Sequence, residues 1–187
     1  MIDQGILKQL LGRALRHGGD YADVFCERRR SYSFRLQDGH IHDGATSIAQ
    51  GVGIRVVVGE SAGYAYSDDL SDEALLRAAE AASLIARGAP SRTSGSIDLT
   101  AANVAALYDE SRRDHAPAAR YVDLLERADR CARAYDPRIV AVNVHVTDEL
   151  QDVWIATSEG RFVQDHRPMV TLGVQAVASA RGERGSG

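Results

Sequence analysis

The strongest constraint on the fold of this chain is a strict alternation of apolar and polar residues in separate segments. Residues 140–146 read Val-Ala-Val-Asn-Val-His-Val, and residues 32–37 read Tyr-Ser-Phe-Arg-Leu-Gln. Successive side chains of a strand point to opposite faces, so this pattern predicts strands that bury one face. Further strands are predicted at 52–58, 63–66, 151–157, 161–165 and 169–179.

Two short turn sequences connect the predicted strands. Asp38-Gly39 is typical of a type I′ hairpin turn, because both central residues of that turn require a positive φ. The return strand is predicted to begin at His40-Ile41-His42, separately from the strand at 52–58. Gly59-Glu60-Ser61 is predicted to turn the chain again.

Three segments carry helical signals. The first helix is predicted from an N-cap at Asp3 to Arg16, before Gly18-Gly19. The second begins at Ser71, with Leu70 and Leu75 as a hydrophobic staple, and is predicted to end near 88–90. The third is predicted to begin with Pro117 at its first position and to end before Asp136-Pro137. Its apolar face is predicted to comprise Tyr121, Leu125, Ala128, Ala132 and Tyr135.

Helices beside runs of strands predict an α+β fold, with a layer of helices on an antiparallel sheet. The order of a helix followed by strands occurs twice, which predicts an internal duplication. A strand glycine follows each turn glycine, Gly53 after Gly39 and Gly173 after Gly160. The predicted organisation is one domain over 1–180, with repeats at about 1–89 and 117–180, a connector over 90–116 and a flexible tail over 181–187.

Composition and charge limit the classes of function. The 187 residues have a formal net charge of −4, which provides no electrostatic attraction to nucleic acid or anionic membrane. Polar residues interrupt the apolar positions of the first helix, unlike a secretory signal, and no segment is apolar enough to span a membrane. Cys26 and Cys131 are predicted to be buried free thiols. We therefore expect a cytoplasmic protein.

No catalytic, cofactor-binding or metal site is predicted in this chain. A helical zinc site needs two histidines on one face with a glutamate nearby, and none of the six histidines is followed by Glu. His40 and His42 would share one strand face, but Asp43 would point away, so the prediction is solvated hairpin histidines. Gly51-Val52-Gly53 precedes no helix and is interpreted as close strand packing, not a phosphate loop. Arg28-Arg29-Arg30 is interpreted as a solvated strand edge.

Several segments together resemble the N-terminal half of TldD/PmbA proteins, and more closely the TldD type. They comprise Tyr21-Ala22-Asp23, Leu36-Gln37-Asp38-Gly39-His40-Ile41, Gln50-Gly51-Val52-Gly53-Ile54-Arg55 and Gly59-Glu60-Ser61-Ala62-Gly63-Tyr64-Ala65-Tyr66-Ser67-Asp68. The resemblance covers essentially the whole chain. The tail, Gly182-Glu183-Arg184-Gly185-Ser186-Gly187, is similar to that family's glycine-rich joint between halves.

The resemblance implies a zinc metallopeptidase that cleaves small or unfolded polypeptides, also described as a modulator of DNA gyrase. Its HExxxH helix lies in the C-terminal half, so zinc is expected there and not in this chain. The expected partners are the C-terminal domain, a paralogous PmbA-like subunit or a second copy, and peptide substrates. The implied role here is non-catalytic, in subunit assembly and substrate access. The alternative is an autonomous peptide- or protein-binding module that captures an extended peptide at a sheet edge.

The alternation at 140–146 predicts opposite environments for two neighbouring side chains. Val144→Ala is expected to lower the free energy of unfolding by about 1–3 kcal/mol, because it leaves a cavity in the core. His145→Ala is expected to cost about 0.5 kcal/mol or less, as surface substitutions usually do. Chemical denaturation of both variants checks the ranking. The reverse order would mean that the strand faces are inverted, since a slip of one residue moves every side chain to the other face.

Overall fold

The computed structural model describes residues 2–86, 97–102, 105, 107–109, 111–180 and 183–187. Over these residues the chain forms three helices and seven strands. In chain order they are α1 (Gln4–Ala14), β1 (Tyr21–Gln37), β2 (His40–Val58), β3 (Ser61–Ser67), α2 (Asp72–Ile85), β4 (Thr100–Ala101), α3 (Ala118–Tyr135), β5 (Ile139–Thr157), β6 (Arg161–Ala180) and β7 (Glu183–Ser186).

The described strands form one sheet in the order β3-β2-β1-β5-β6-β4, and β7 also pairs with β6. This is the α+β fold that the sequence predicts. The pairs β2–β3 and β6–β7 are antiparallel, whereas the two-residue β4 lies parallel to β6. β4 belongs to the predicted connector, where Thr100 and Ala101 pair with Arg161 and Phe162.

Three strands of the structure each combine two segments that the sequence pattern predicts separately. The segments at 40–42 and 52–58 form a single strand, β2, and the segments at 140–146 and 151–157 likewise form β5. The segments at 161–165 and 169–179 form β6. Polar or small residues obscure the apolar alternation in the intervening stretches, so the pattern alone divided each strand.

The residues group into two compact units. The first comprises Met1–Arg28, Ala49–Leu107 and Gln151–His166, and the second comprises Arg29–Ile48, Tyr108–Leu150 and Arg167–Gly187. Each unit therefore takes strand segments from both halves of the sequence. The predicted domain limits and the internal duplication remain predictions.

The first unit has a core of α1 and α2 packed on strand residues. Leu7, Leu10 and Leu11 of α1 are completely buried. They belong to one cluster with alternate residues of β1 and β2 and with alanines of α2. Asp3 caps α1 by accepting a hydrogen bond from Gly5, and Ser71 caps α2 by accepting one from Ala74, both as predicted. Leu70 and Leu75, the predicted staple, lie in the same cluster.

The second unit has a core of α3 packed on β1 and β5. Val142, Val144 and Val146 are completely buried, whereas His145 is exposed, as the alternation predicts. Tyr121 and Leu125 of α3 close this core. The predicted apolar face of α3 is wrong at Tyr135, which is 89% exposed in the last turn of the helix. Pro117 is the N-cap of α3, one position before the predicted one.

Several expectations need correction. Residues 181–187 were expected to form a flexible tail, but Glu183–Ser186 pairs with β6 over Val177–Ala180 as β7. Arg28–Arg30 does not form a strand edge, because β1 lies between β2 and β5. Cys26 is buried as predicted, but Cys131 is exposed on α3. The expected end of α2 at 88–90 lies outside the described residues.

Two turns have the geometry that the sequence predicts. Asp38 and Gly39 have φ values of 47° and 80°, the two positive values of a type I′ turn. Gly59 has a φ of 56° at the turn between β2 and β3. The Asp38 carboxylate also accepts a hydrogen bond from the Val142 amide at 3.2 Å, which contributes to holding its pKa below the ordinary value.

Gly63 is required for the close approach of α2 to β3. A Cβ atom at this position would overlap the Ala82 carbonyl oxygen and lie 2.8 Å from the Ala86 amide nitrogen. Both contacts are with helix backbone, which cannot move aside as a flexible side chain can. The small side chains of α2 and the glycine of β3 therefore set the spacing between helix and sheet together.

We predict opposite effects of alanine at two glycines of the first unit. Gly63→Ala is expected to lower the free energy of unfolding by about 3 kcal/mol, because the new methyl group overpacks the helix–sheet contact. Gly12→Ala is the matched control. It lies in α1 with nothing within 4 Å of the added Cβ, so it is expected to stabilise by about 0.5–1 kcal/mol. Thermal unfolding of the two variants measures both, and equal effects would contradict this account of the packing.

Candidate functional site

The most deeply buried charged group of the second unit is the carboxylate of Asp148. It occupies the next inward position of β5 after Val142, Val144 and Val146, and it is completely buried. Arg112 Nη1 donates to both of its oxygens, at 2.8 and 2.7 Å. The hydroxyl of Tyr121 donates to Oδ2 of the same carboxylate. These contacts tie the segment before α3, and α3 itself, to β5.

His115 completes this cluster. Its Nδ1 lies 3.4 Å from Asp148 Oδ2, and its ring stacks on Tyr32 with the ring centroids 4.0 Å apart. The neighbouring Ala116 amide donates a 2.8 Å hydrogen bond to the Tyr121 hydroxyl. Tyr121 also stacks on Phe34 at 5.2 Å. The cluster is therefore packed between aromatic rings as well as hydrogen-bonded.

The protonation states of Asp148 and Tyr121 suit a structural role. Burial alone would raise the pKa of Asp148, but hydrogen bonds from Tyr121 and Arg112 outweigh that effect and lower it. Burial, together with the bond to Asp148, raises the pKa of Tyr121 to about 12. Neither group exchanges a proton near neutral pH. We therefore interpret the cluster as a structural tie and not as an acid–base pair.

A polar groove of about 460 Å³ lies on the sheet of the second unit. His145 and Gln175 are among its lining residues. The His145 ring lies against Gly173, where a Cβ atom would overlap the ring, so the glycine makes room for the histidine. Its other lining residues are Ser33, Phe34, Arg35, Gln37, Asp43, Asn143, Val144, Val146 and Thr147. The groove offers hydrogen-bond donors and acceptors from four strands, which suits binding of a polar segment.

The histidines considered at the sequence level do not form a metal site. His40 Nδ1 lies 3.0 Å from the Asp38 carbonyl oxygen, and His42 Nδ1 lies 3.6 Å from Asp43 Oδ2. Both histidines are exposed on β2. Within the described ranges no group of three or more His, Cys, Asp or Glu residues is placed to hold a metal ion. These residues do not fit a zinc site of the kind that the resemblance implies.

The Gly51-Val52-Gly53 motif packs against aromatic rings. A Cβ at Gly51 would overlap the ring of Tyr66, and one at Gly53 would meet the ring of Tyr64. These tyrosines belong to β3, which pairs with this part of β2. The interpretation of close strand packing is correct, and it is the neighbouring strand that requires the glycines.

Arg29 and Arg30 of the basic run have separate acidic partners. Arg29 Nε lies 3.5 Å from Glu149, and Arg30 Nη1 lies 3.6 Å from Asp114. Arg30 also donates a 2.8 Å hydrogen bond to the Arg113 carbonyl oxygen. The run therefore does not present a single cationic surface.

Sequence reasoning missed two buried polar pairs. One is Asp148 with its partners. The other, in the first unit, joins His166 Nδ1 to Asp152 Oδ1 at 2.6 Å, with His166 buried. Asp148 continues the two-residue spacing of three buried valines, and this spacing was a signal that its carboxylate faces the core. Its partners could not be inferred, because they come from a segment without periodicity.

We predict that Asp148→Asn lowers the free energy of unfolding at pH 7 by about 3 kcal/mol, because it removes the buried negative charge to which Arg112 and Tyr121 donate hydrogen bonds. The pKa of Asp148 is lowered in the folded state, so its stabilisation is present above the unfolded pKa of about 3.9 and is lost as the pH falls through the folded pKa. The difference between wild type and variant should therefore shrink below about pH 4.

Asp123→Asn is the matched control for this prediction. Among the residues that the structure describes, Asp123 forms one ion pair, an exposed i,i+4 pair with Arg127 at 3.9 Å, so we expect a change of about 0.5 kcal/mol or less. Denaturant unfolding between pH 3 and pH 7 measures both variants. A difference between wild type and Asp148→Asn that does not change with pH would contradict the assigned role of the carboxylate.

No helix in the described part of the chain is long and apolar enough to cross a membrane. Two family models match the sequence. Residues 22–86 match the PmbA/TldA metallopeptidase domain 1, and residues 111–187 match the PmbA/TldA metallopeptidase central domain.

Similar proteins of known sequence carry the name metalloprotease TldD homolog. The Haemophilus influenzae protein is 31% identical over 169 residues, which cover 90% of this chain and 35% of that protein. The protein from Buchnera aphidicola subspecies Acyrthosiphon pisum is 30% identical over 186 residues, which cover 97% of this chain and 36% of that protein. The chain thus spans about a third of the length of these relatives.

Solved structures share the fold. A Bacteroides thetaiotaomicron protein described as a modulator of DNA gyrase superposes with a TM-score of 0.76 at 17% identity, covering 98% of this chain and 43% of that one. TldE from Thermococcus kodakarensis superposes with a TM-score of 0.62 at 17% identity, covering 96% of this chain and 40% of that one. Because the two family models together match well over half of its residues, the chain belongs to the PmbA/TldD metallopeptidase family.

Proposed function

We propose that this chain is the N-terminal, non-catalytic domain of a TldD-like zinc metallopeptidase that cleaves small or unfolded polypeptides. The observation that carries the proposal is the joint match of the first and central domains of the family, over 22–86 and 111–187. The relatives named metalloproteases are about three times as long as the matched segment. Zinc and the residues that activate water are assigned to another part of the whole protein. We place the whole protein in the cytoplasm.

The role proposed for this domain is in subunit assembly and substrate access. An exposed apolar row on β6 supports the role in subunit assembly, since Val170, Leu172 and Val174 are each more than two-fifths exposed. Large apolar side chains on a strand gain free energy when another surface covers them. The proposed occupants are the C-terminal domain, a paralogous PmbA-like subunit or a second copy. The polar groove of the second unit supports the role in substrate access.

An autonomous peptide- or protein-binding module is the second candidate function. It is favoured by the part of β2 before Val52, which has no strand on its outer side among the described residues. A module of this kind would act without a metal-bearing half. Direct binding to nucleic acid is not proposed for either candidate, because the net charge of −4 offers no general attraction to phosphate.

We predict that the purified 187-residue chain carries no stoichiometric zinc and does not hydrolyse unfolded casein. A longer protein that contains it is expected to carry about one zinc per chain and to hydrolyse casein, because a bound zinc ion lowers the pKa of its water and polarises the carbonyl. Elemental analysis and a fluorescent casein assay measure both. Stoichiometric zinc in the short chain that is lost in His40→Ala and His42→Ala would contradict the proposal, whereas a metal-free, inactive long protein would favour the binding module.

A further inference from the structure

Three aromatic side chains of the first unit lie on the face of their strands that its helices do not cover. The residues on either side of Phe25 in β1 are buried in the core under α1 and α2, so Phe25 points to the opposite face. In β3, Ala65 packs on the same core, so Tyr64 and Tyr66 also point to the open face. Phe25 is 37% exposed, and both tyrosines are 59% exposed.

Two glycines of β2 hold the tyrosine rings against the sheet. Tyr66 is in register with Gly53, but its phenol end lies over Gly51, and the phenol end of Tyr64 lies over Gly53. Both rings therefore lean in the same direction along β2, with one side on the glycines and the other towards solvent. Packing sets their positions before any ligand binds, which lowers the entropic cost of binding.

The three rings and the two glycines line a pocket of about 190 Å³. Sites for drug-sized ligands usually have volumes of about 300–1,000 Å³, so this pocket suits a small head group and not a whole cofactor. Glu27 is the one charged residue among its described lining residues. The pocket thus combines aromatic rings with a carboxylate.

The charges around the pocket favour a cation. The Glu27 carboxylate accepts a 2.7 Å hydrogen bond from the neutral amide of Gln151 and contributes negative charge at the pocket. Arg55 follows Gly53 on this face of β2, and it donates to Asp23 Oδ2 through Nε and Nη2, at 2.8 and 2.5 Å. The Asp23 carboxylate offsets the charge of Arg55, so this arginine would repel a bound cation only weakly.

The rings define which cation fits best. The face of an aromatic ring attracts cations, because its π electrons carry partial negative charge. An unmodified lysine ammonium would lose its strong hydration there and leave N–H groups among the rings. A methylated ammonium group is weakly hydrated and presents methyl groups to the rings. Nucleic acid bases could also stack on tyrosines, but their phosphates would be repelled by Glu27 and by the net charge of −4.

We propose that Phe25, Tyr64 and Tyr66 form a binding site for a methylated ammonium group, with Glu27 supplying negative charge. Small molecules such as choline and polypeptides that contain trimethyllysine share this group. The inference goes beyond the proposed function and does not depend on it, since every residue used lies in the first unit. The rings contact the methyl groups, and the carboxylate acts on the charge.

NMR titration of the isotope-labelled 187-residue chain tests this proposal. The ligands are choline and its uncharged isostere 3,3-dimethylbutan-1-ol, in which carbon replaces the charged nitrogen. We expect choline to bind about tenfold more tightly, since cation–π contacts with several rings strengthen binding by about that factor. The amide signals of Gly51 and Gly53, which lie beneath the tyrosine rings, locate the binding.

Variants at two positions assign the binding to this pocket. Tyr64→Leu keeps an apolar side chain but removes the ring, so choline should bind about threefold to fivefold more weakly, with little change for the isostere. Tyr64→Phe keeps the ring and should bind choline as the wild type does. Glu27→Gln removes the charge and should weaken choline binding about threefold. Tyr135→Leu is the matched control, because Tyr135 is 89% exposed on α3 in the second unit.

A second titration distinguishes the two sources of the group. The probe is the pentapeptide Ala-Ala-Lys-Ala-Ala with a trimethylated lysine, and its control is the same peptide with unmodified lysine. We expect the trimethylated peptide to bind about tenfold more tightly than the control. Tighter binding of this peptide than of choline would assign the site to a modified polypeptide, and weaker binding would assign it to a small molecule.

Four outcomes would overturn the proposal. The first is equal affinity of the wild type for choline and its isostere, which decides the question even if a variant does not fold. The second is choline binding that leaves the Gly51 and Gly53 signals unchanged. The third is unchanged choline affinity in folded Tyr64→Leu. The last is tighter binding of guanidinium than of choline, which would assign the rings to an arginine side chain.

Discussion

The burial of alternate side chains on strands of 17–20 residues is the constraint on which each unit depends. A strand buries one face when most of its alternate residues are apolar and another element, here a helix, covers that face. In the first unit α1 and α2 supply that cover, and in the second α3 does. Helix caps, turn glycines and the close approach at Gly63 all serve this arrangement, because each determines where a helix can lie on its strands.

Asp148 shows how a polar group can occupy a position that the alternation reserves for an apolar one. A buried carboxylate is costly unless it is paired and hydrogen-bonded, and here Arg112 and Tyr121 meet both requirements. The result is a connection between β5, α3 and the segment before α3 that a valine could not make. The cluster thus orients one helix, while the exposed groove and strand edge of the same unit remain available for binding.

The described residues of the second unit provide surfaces for binding. The chain matches two domains of a metallopeptidase family, and within its described residues no group of three or more His, Cys, Asp or Glu side chains is placed to hold a metal ion. The second unit offers a polar groove, an apolar row on β6 and an edge of β2 on whose outer side no described strand lies. Such surfaces suit the binding of other polypeptide surfaces or polar segments.

The sequence by itself determined the fold class, the helix caps, the Asp38-Gly39 turn and the inward face of 142–146, because these depend on local periodicity and turn chemistry. Only the tertiary structure decided the lengths of β1, β2, β5 and β6, the partners of Asp148 and the glycine–tyrosine contacts of β2 with β3. Each of those depends on residues far apart in sequence, and no local pattern encodes which strand lies beside which. For the same reason the free edge of β2 became visible only once β3 was seen to pair from Val52 onward.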